Sequence, residues 1–277
     1  MDLKQCKRED IIIAPTAVDF VKLYFKGYKN QIYWMQGIDA EESYMRNGSK
    51  LRSYVLDVIT KFAMKKAMAI FYVSKEMKKF EEGKFDISTD RKCFIMPCFN
   101  VSRTETLQVN ERKYEKNIFT YVGSLSEWQC FEETLDFYKK IEAIDPHTEL
   151  KIFTFAEEEA RRIVETKNIK NCTVASVAPE MMSEALADVK FGFVLRNDVP
   201  VNRVATPTKL FIIFICWKVI PVFSKYLKDF YNRTNDFEYV VPVSDFNPSE
   251  KLQKLLGEEI DTNKLISEYM ELFKHIL

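Results

Sequence analysis

Residues 118–144 read IFTYVGSLSEWQCFEETLDFYKKIEAI, and the whole fold can be worked outward from them. The first five residues are β-branched or aromatic, as expected of a strand buried in a sheet. Gly123-Ser124-Leu125-Ser126 then breaks the run, and 131–144 returns apolar residues at helical spacing. This rhythm recurs downstream. Strands are predicted at 150–155, 172–175, 191–195, 219–223 and 239–243, with helices near 156–167, 179–189, 207–216 and Tyr226. Strands alternating with helices imply a parallel sheet covered on both faces.

Upstream the same alternation holds. Residues 10–14 and 31–36 read as strands around a helix near 18–26. A longer helix is predicted from about 50 to 68, where Leu51, Val55, Ile59 and Phe62 share one face. A strand at 70–73, a charged helix at 75–82 and a strand at 93–96, stopped by Pro97, follow. Residues 101–117 are polar and without period, and mark a crossing between domains. The predicted architecture is α/β, with two Rossmann-like doubly wound domains: 1–107, 108–261, and a final amphipathic helix at 262–277.

Composition bounds the function. A chain of 277 residues accommodates two ordinary domains. Hydrophobic residues at 47% and charged residues at 30% fit a globular protein with a substantial core. With 41 basic and 41 acidic side chains the net charge is zero, so no long-range field recruits nucleic acid. No G-x-G-x-x-G or G-x-x-x-x-G-K phosphate fingerprint occurs. The six cysteines lack C-x-x-C spacing and are expected to be buried free thiols in a reducing compartment. The two histidines, His147 and His275, are expected at the surface. The start, MDLKQCKRED, has no apolar leader, and the run from Leu210 is too short to span a membrane. The expectation is a cytoplasmic protein, with peripheral contact at the inner face of a membrane left open.

In an open parallel sheet, ligands sit outside the carboxyl ends of the strands. Three loops there carry unusual residues. Gly123 and Ser124 would let backbone amides approach an oxyanion, although a routine turn has the same composition. Trp128 follows, to wall a sugar or base site or simply to pack on the sheet. Arg196, ending the strand FGFVL, can fork onto phosphate oxygens; taken alone, a surface ion pair is the plainer reading. Thr206 and Pro207 are suited to start a helix, which places Lys209 in its first turn. The helix dipole disfavours a cation there unless a bound anion is shared between ammonium and amides. No D-x-D occurs, so Arg196 and Lys209 would neutralise a leaving diphosphate without a metal. No metal or other cofactor is called for.

The segments YVGSLSEWQCFEETLDFYKKI (121–141), ADVKFGFVLRNDVPVNRVATPTKLF (187–211) and YWMQGIDAEESYMRN (33–47) resemble family 4 of the retaining glycosyltransferases, which have the GT-B fold. The likeness is with capsule and surface-polysaccharide members and spans about residues 10–225. It implies a first domain facing the acceptor, a second holding the nucleotide sugar, reaction in the cleft between, and a final helix crossing back. Arg196 and Lys209 then look like diphosphate ligands, with Gly123 and Ser124 in the loop near the donor phosphates. Asn202 and Thr208 fall inside the matching motif. Asp39, Glu41 and Glu42 could place an acceptor hydroxyl, although an acidic turn in solvent is the plainer reading. No general base is assigned.

The sequence departs from the family at several places. The glutamate expected to hold the ribose is Ile212, which loses a contact worth on the order of 1 kcal/mol. The usual turn glycine is Trp217. The arginine and lysine of many relatives' first loop are Ser124 and Gln129, and the first domain is shortened. The expected activity is metal-independent sugar transfer from a nucleotide donor to a polysaccharide or lipid-linked acceptor. The alternative is a catalytically degenerate binding or scaffold subunit, with Trp217 and Phe214 exposed as a partner surface.

Overall fold

The computed structural model describes residues 6–97, 111–206, 210 and 217–274. The chain divides into two compact units, Met1–Cys98 with Val199–Thr206, and Phe99–Asp198 with Pro207–Leu277.

The first unit runs β1 (Ile12–Ala14), α1 (Ala17–Phe25), β2 (Gln31–Met35), α2 (Asp39–Asn47), α3 (Lys50–Lys66), β3 (Ala69–Tyr72), α4 (Lys75–Phe85) and β4 (Cys93–Ile95). Its four parallel strands lie in the order β1-β2-β3-β4. Side chains start the helices where the sequence supplies them. Thr16 accepts from the Asp19 amide at 3.0 Å, and Ser74 accepts from the Met77 amide at 2.9 Å. The core gathers Phe20, Tyr33, Met35, Ile70 and Tyr72 around this sheet.

The second unit holds β5 (Ile118–Val122), α5 (Phe131–Ile144), β6 (Glu149–Phe153), α6 (Glu157–Lys167), β7 (Cys172–Ala175), α7 (Met182–Ala185) and β8 (Phe191–Val194). After the short helix α8 (Pro200–Val204), which belongs to the first unit, come β9 (Ile220–Ser224), α9 (Lys228–Thr234), β10 (Val241–Val243), α10 (Glu250–Gly257) and α11 (Thr262–Lys274). The six strands are parallel in the order β10-β9-β8-β5-β6-β7. The chain therefore builds outward from β5 on one side and then returns to build from β8 on the other. Phe119 stacks on Phe191 and Phe193 at ring distances of 4.7 and 5.2 Å, which ties the two central strands together. Leu265, Tyr269 and Leu272 of α11 enter this unit's core, and the Glu268 carboxylate accepts from the Glu238 and Tyr239 amides.

All the expected strands are present, with ends shifted by a residue or two. The helices hold the corrections. Asp39, Glu41 and Glu42, expected in an acidic turn, instead begin helix α2 (Asp39–Asn47), closed by Gly48 in a left-handed conformation. Of the α3 face expected to be buried, Ile59 and Phe62 pack partly buried against the core, while Leu51 is 75% and Val55 47% exposed. The inward face consists of Thr60, Ala63 and Met64, because α3 lies against both α1 and α2 and small residues permit that approach. Among the described cysteines only Cys130 is buried; Cys6, Cys93 and Cys172 are partly exposed, and all four are free thiols. Trp217 packs against the second unit's core instead of standing exposed. His147 is exposed, while His275, Phe214 and Ile212 lie outside the described residues. The helix expected at 207–216 lies outside them too, apart from Leu210.

Candidate functional site

The strand order of the second sheet reverses between β5 and β8, and a crevice outside the carboxyl ends of such a pair is where open α/β sheets take ligands. Two of the loops singled out in the sequence leave from that point. Gly123 follows β5 with φ 154°, a value that side-chain-bearing residues rarely adopt, and its amide donates to Phe153 O at 2.9 Å. The loop is pinned by Tyr121, whose hydroxyl donates to Ser124 O at 2.6 Å. Ser124 and Ser126 share a hydroxyl contact at 2.9 Å. Trp128 and Gln129 sit on a 3-10 turn, Glu127–Gln129, that leads into α5.

Arg196 is brought to this loop from the end of β8. Its amide donates to Ser224 Oγ at 2.7 Å, and its guanidinium turns inward, leaving the residue 5% exposed. Nη1 donates to Leu195 O at 2.7 Å and Gln129 O at 3.3 Å; Nη2 donates to Gln129 Oε1 at 2.9 Å. Among the described residues no carboxylate lies within ion-pair distance of it. Burial pushes its pKa down, against smaller opposing contributions from Tyr121 and Cys130. The charge is thus hydrogen-bonded but not neutralised, so an anion reaching it would find a desolvated, oriented fork. The surface ion pair that is the plain reading of such an arginine does not form here.

Lys209 and Thr208, the other half of the proposed grip, lie outside the described residues, as does Pro207. Asn202 is buried in the first unit, on α8, together with Thr206, whose hydroxyl donates to Val73 O at 3.0 Å. Ser74 likewise donates to Val204 O at 2.6 Å, so this stretch is stitched to the carboxyl end of β3.

In the first unit, Asp39 and Glu42 line a cavity of about 330 Å³ with Thr16, Ser43, Arg46 and Arg52. Desolvation raises the pKa of Asp39, opposed by the Ala17 amide and Arg46. Desolvation also raises that of Glu42, helped by the negative charge of Asp39 and opposed by Arg46, 3.3 Å away. Ser43 is buried with its Oγ unpartnered among the described residues. Gly37 leaves room for the Glu42 carboxylate, since a Cβ there would fall 2.2 Å from Oε1. Reading Asp39, Glu41 and Glu42 as a turn hid Arg46 and Ser43. Ser43 stands four residues after Asp39 and Arg46 four after Glu42, the helical spacing that would have exposed them.

Two successive parallel α/β units of this kind make the GT-B fold of glycosyltransferases. Among solved structures, the chain matches a point mutant of S. aureus TarM in complex with fondaparinux, alpha-GlcNAc-glycerol and UDP, at TM-score 0.71 and 11% identity over 99% of this chain and 55% of that one. It matches sucrose-phosphate synthase from Thermosynechococcus elongatus at TM-score 0.69 and 13% identity, over 96% and 69% of the two chains. Anabaena HepE in complex with UDP and glucose follows at TM-score 0.65 and 10% identity, over 96% and 73%. The chain therefore spans about half the length of the TarM chain, 55%. At these identities the likeness carries the fold and nothing finer. No protein-family model matches the sequence, and no curated protein matches it.

Proposed function

We propose that this chain is a retaining, metal-independent glycosyltransferase that moves a sugar from a nucleotide-sugar donor to a polysaccharide or lipid-linked acceptor. The observation that carries the reading is Arg196: a buried guanidinium without a carboxylate partner among the described residues, at the strand-order reversal of the second sheet. A leaving diphosphate supplies the charge this site lacks, and the cation stabilises it as the sugar bond breaks. Lys209, from the neighbouring motif, is assigned to the same diphosphate. Gly123 and Ser124 are assigned to the donor phosphates, and Trp128, Asn202 and Thr208 to the rest of the donor. The Asp39–Glu42 cavity is assigned to the acceptor, because carboxylates and an unpartnered serine hydroxyl suit sugar hydroxyls. UDP is present in the TarM and HepE complexes, which makes it the first nucleotide to try.

The test is donor turnover, followed by mass spectrometry across common nucleotide sugars in chelator. Release of nucleoside diphosphate that Lys209→Ala abolishes supports the reading; turnover unaffected by that change refutes the diphosphate assignment. One observation favours a second reading, the non-catalytic binding subunit. Gln129 stands where many relatives carry a cation, and its side chain already occupies the Arg196 fork. Absence of any nucleotide binding in a calorimetric panel would select that alternative.

A further inference from the structure

Helix α3 carries an apolar stripe on its outer face. Leu51, Tyr54, Val55 and Val58 recur at three- and four-residue steps and are 75%, 66%, 47% and 51% exposed. Phe62 continues the stripe one turn on, and Phe25, 74% exposed at the end of α1, stacks on it with ring centroids 5.8 Å apart. The exposed part therefore runs roughly 10 Å along the helix, from Leu51 to Val58 at about 1.5 Å per residue, and reaches Phe25 past the half-buried Phe62. Contiguous apolar surface of this kind marks a contact, since single exposed side chains scatter.

Charge decides the partner. Lys50 and Lys61 flank one side of the stripe, Arg52 and Lys66 the other, and Lys65 lies near its end. Around Phe25 stand Lys22, Lys26 and Lys29, all exposed; Lys29 Nζ donates to Tyr24 O at 2.8 Å and lies over the Tyr24 ring. The acidic residues close by are turned elsewhere. Asp57, the one carboxylate in the α3 sequence, pairs with Lys84 at 2.5 Å, as does Glu41. A second copy of the chain would set these cations against each other. Among the described residues no helix is long and apolar enough to cross a membrane, so contact would be at the interface.

We propose that the outer face of α3, with Phe25, docks on an anionic lipid surface. The apolar side chains enter the headgroup boundary while the lysine stems lie along it and their ammonium groups meet lipid phosphates. The surface is independent of the sugar-transfer reading, and the assay contains no nucleotide, so the two can fail separately.

The experiment is vesicle flotation of the whole chain with phosphatidylcholine alone and with phosphatidylcholine containing phosphatidylglycerol. At least tenfold greater partitioning onto the anionic vesicles is expected. It should be lost when salt rises from about 0.1 M to about 1 M, which shortens the screening length from about 10 Å to about 3 Å. Leu51→Glu with Val58→Glu should reduce binding tenfold or more, and Lys65→Glu with Lys66→Glu should do so independently. Both pairs are exposed, so unchanged circular dichroism is expected. Equal partitioning of the unaltered chain onto the two vesicle types overturns the proposal. So does a concentration-dependent dimer, seen by light scattering, that Leu51→Glu with Val58→Glu dissolves.

Discussion

Replacing Arg196 with methionine separates the cost of holding this cation from its use. In the free protein the guanidinium is 5% exposed and bonded to neutral oxygens of Leu195 and Gln129. Burying such an ion costs several kcal/mol. Its hydrogen bonds return about 1.5–3 kcal/mol each, so the two contributions are of one size. Arg196→Met should therefore change the stability of the free chain by no more than about 2 kcal/mol, in either direction. The bound state is different, because removing one partner of a desolvated charge pair costs about 2–5 kcal/mol, or roughly thirtyfold and upwards in affinity. At a UDP concentration of about 100 times Kd, the unaltered protein gains about 2.7 kcal/mol of stability. A variant binding roughly thirtyfold more weakly gains less than about 1 kcal/mol at that concentration. Thermal unfolding with and without UDP, paired with calorimetric titration, reads both quantities. Equal stabilisation of the two proteins by UDP would remove Arg196 from the diphosphate site. A loss of more than about 4 kcal/mol in the free variant would make it a structural residue instead.

Other outcomes follow from the same physics. Glu81 on α4 is buried with Oε2 unpartnered among the described residues, and desolvation pushes its pKa up to about 8 despite Lys84. Folded chains then hold a proton that unfolded chains release between about 4.5 and 8, so this group lowers stability as pH rises through that window, by up to about 1.4 kcal/mol per unit. Glu81→Gln should raise Tm progressively more from about pH 5 to pH 8; an unchanging difference would contradict the burial. Lys113 shows the opposite sign. Burial, with help from Lys218, lowers its pKa to about 7, so unfolded chains bind the extra proton and stability rises from about pH 7 towards 10. Lys113→Met should flatten that rise in thermal scans, even though it removes a donor from Trp217 O; Leu186 O keeps the Val189 amide. In the first unit, Glu42→Gln should leave donor hydrolysis within about twofold while slowing transfer to acceptor roughly tenfold or more, about 1.4 kcal/mol. If both fall together, Glu42 is not on the acceptor side.

Much of this molecule could be read from local chemistry. Strands such as 118–122 and 191–194 are buried on both faces, so they appear as continuous apolar runs whose alternation with helices specifies a parallel sheet. Gly123 could be placed at a strand's carboxyl end for the same reason, and Arg196 at another. That these two ends are neighbours was not legible, because it depends on β8 inserting beside β5 and not beside β7. Nor could sequence show that the guanidinium folds inward onto Gln129, since a surface ion pair has the same local signature. Acidic residues at 39–42 looked like solvated turn, yet packing against α3 and α8 makes them the first turn of a helix that lines a cavity.

Helix α3 draws the boundary most sharply. Its periodicity announced a helix with an apolar face, and local sequence determines that much, because side-chain spacing follows the 3.6-residue turn. Which residues turn inward was decided by packing on α1 and α2, where Thr60, Ala63 and Met64 are buried while Leu51 and Tyr54 stay exposed. Periodicity states that an apolar stripe exists; only the shape of the neighbouring surfaces determines whether it is buried.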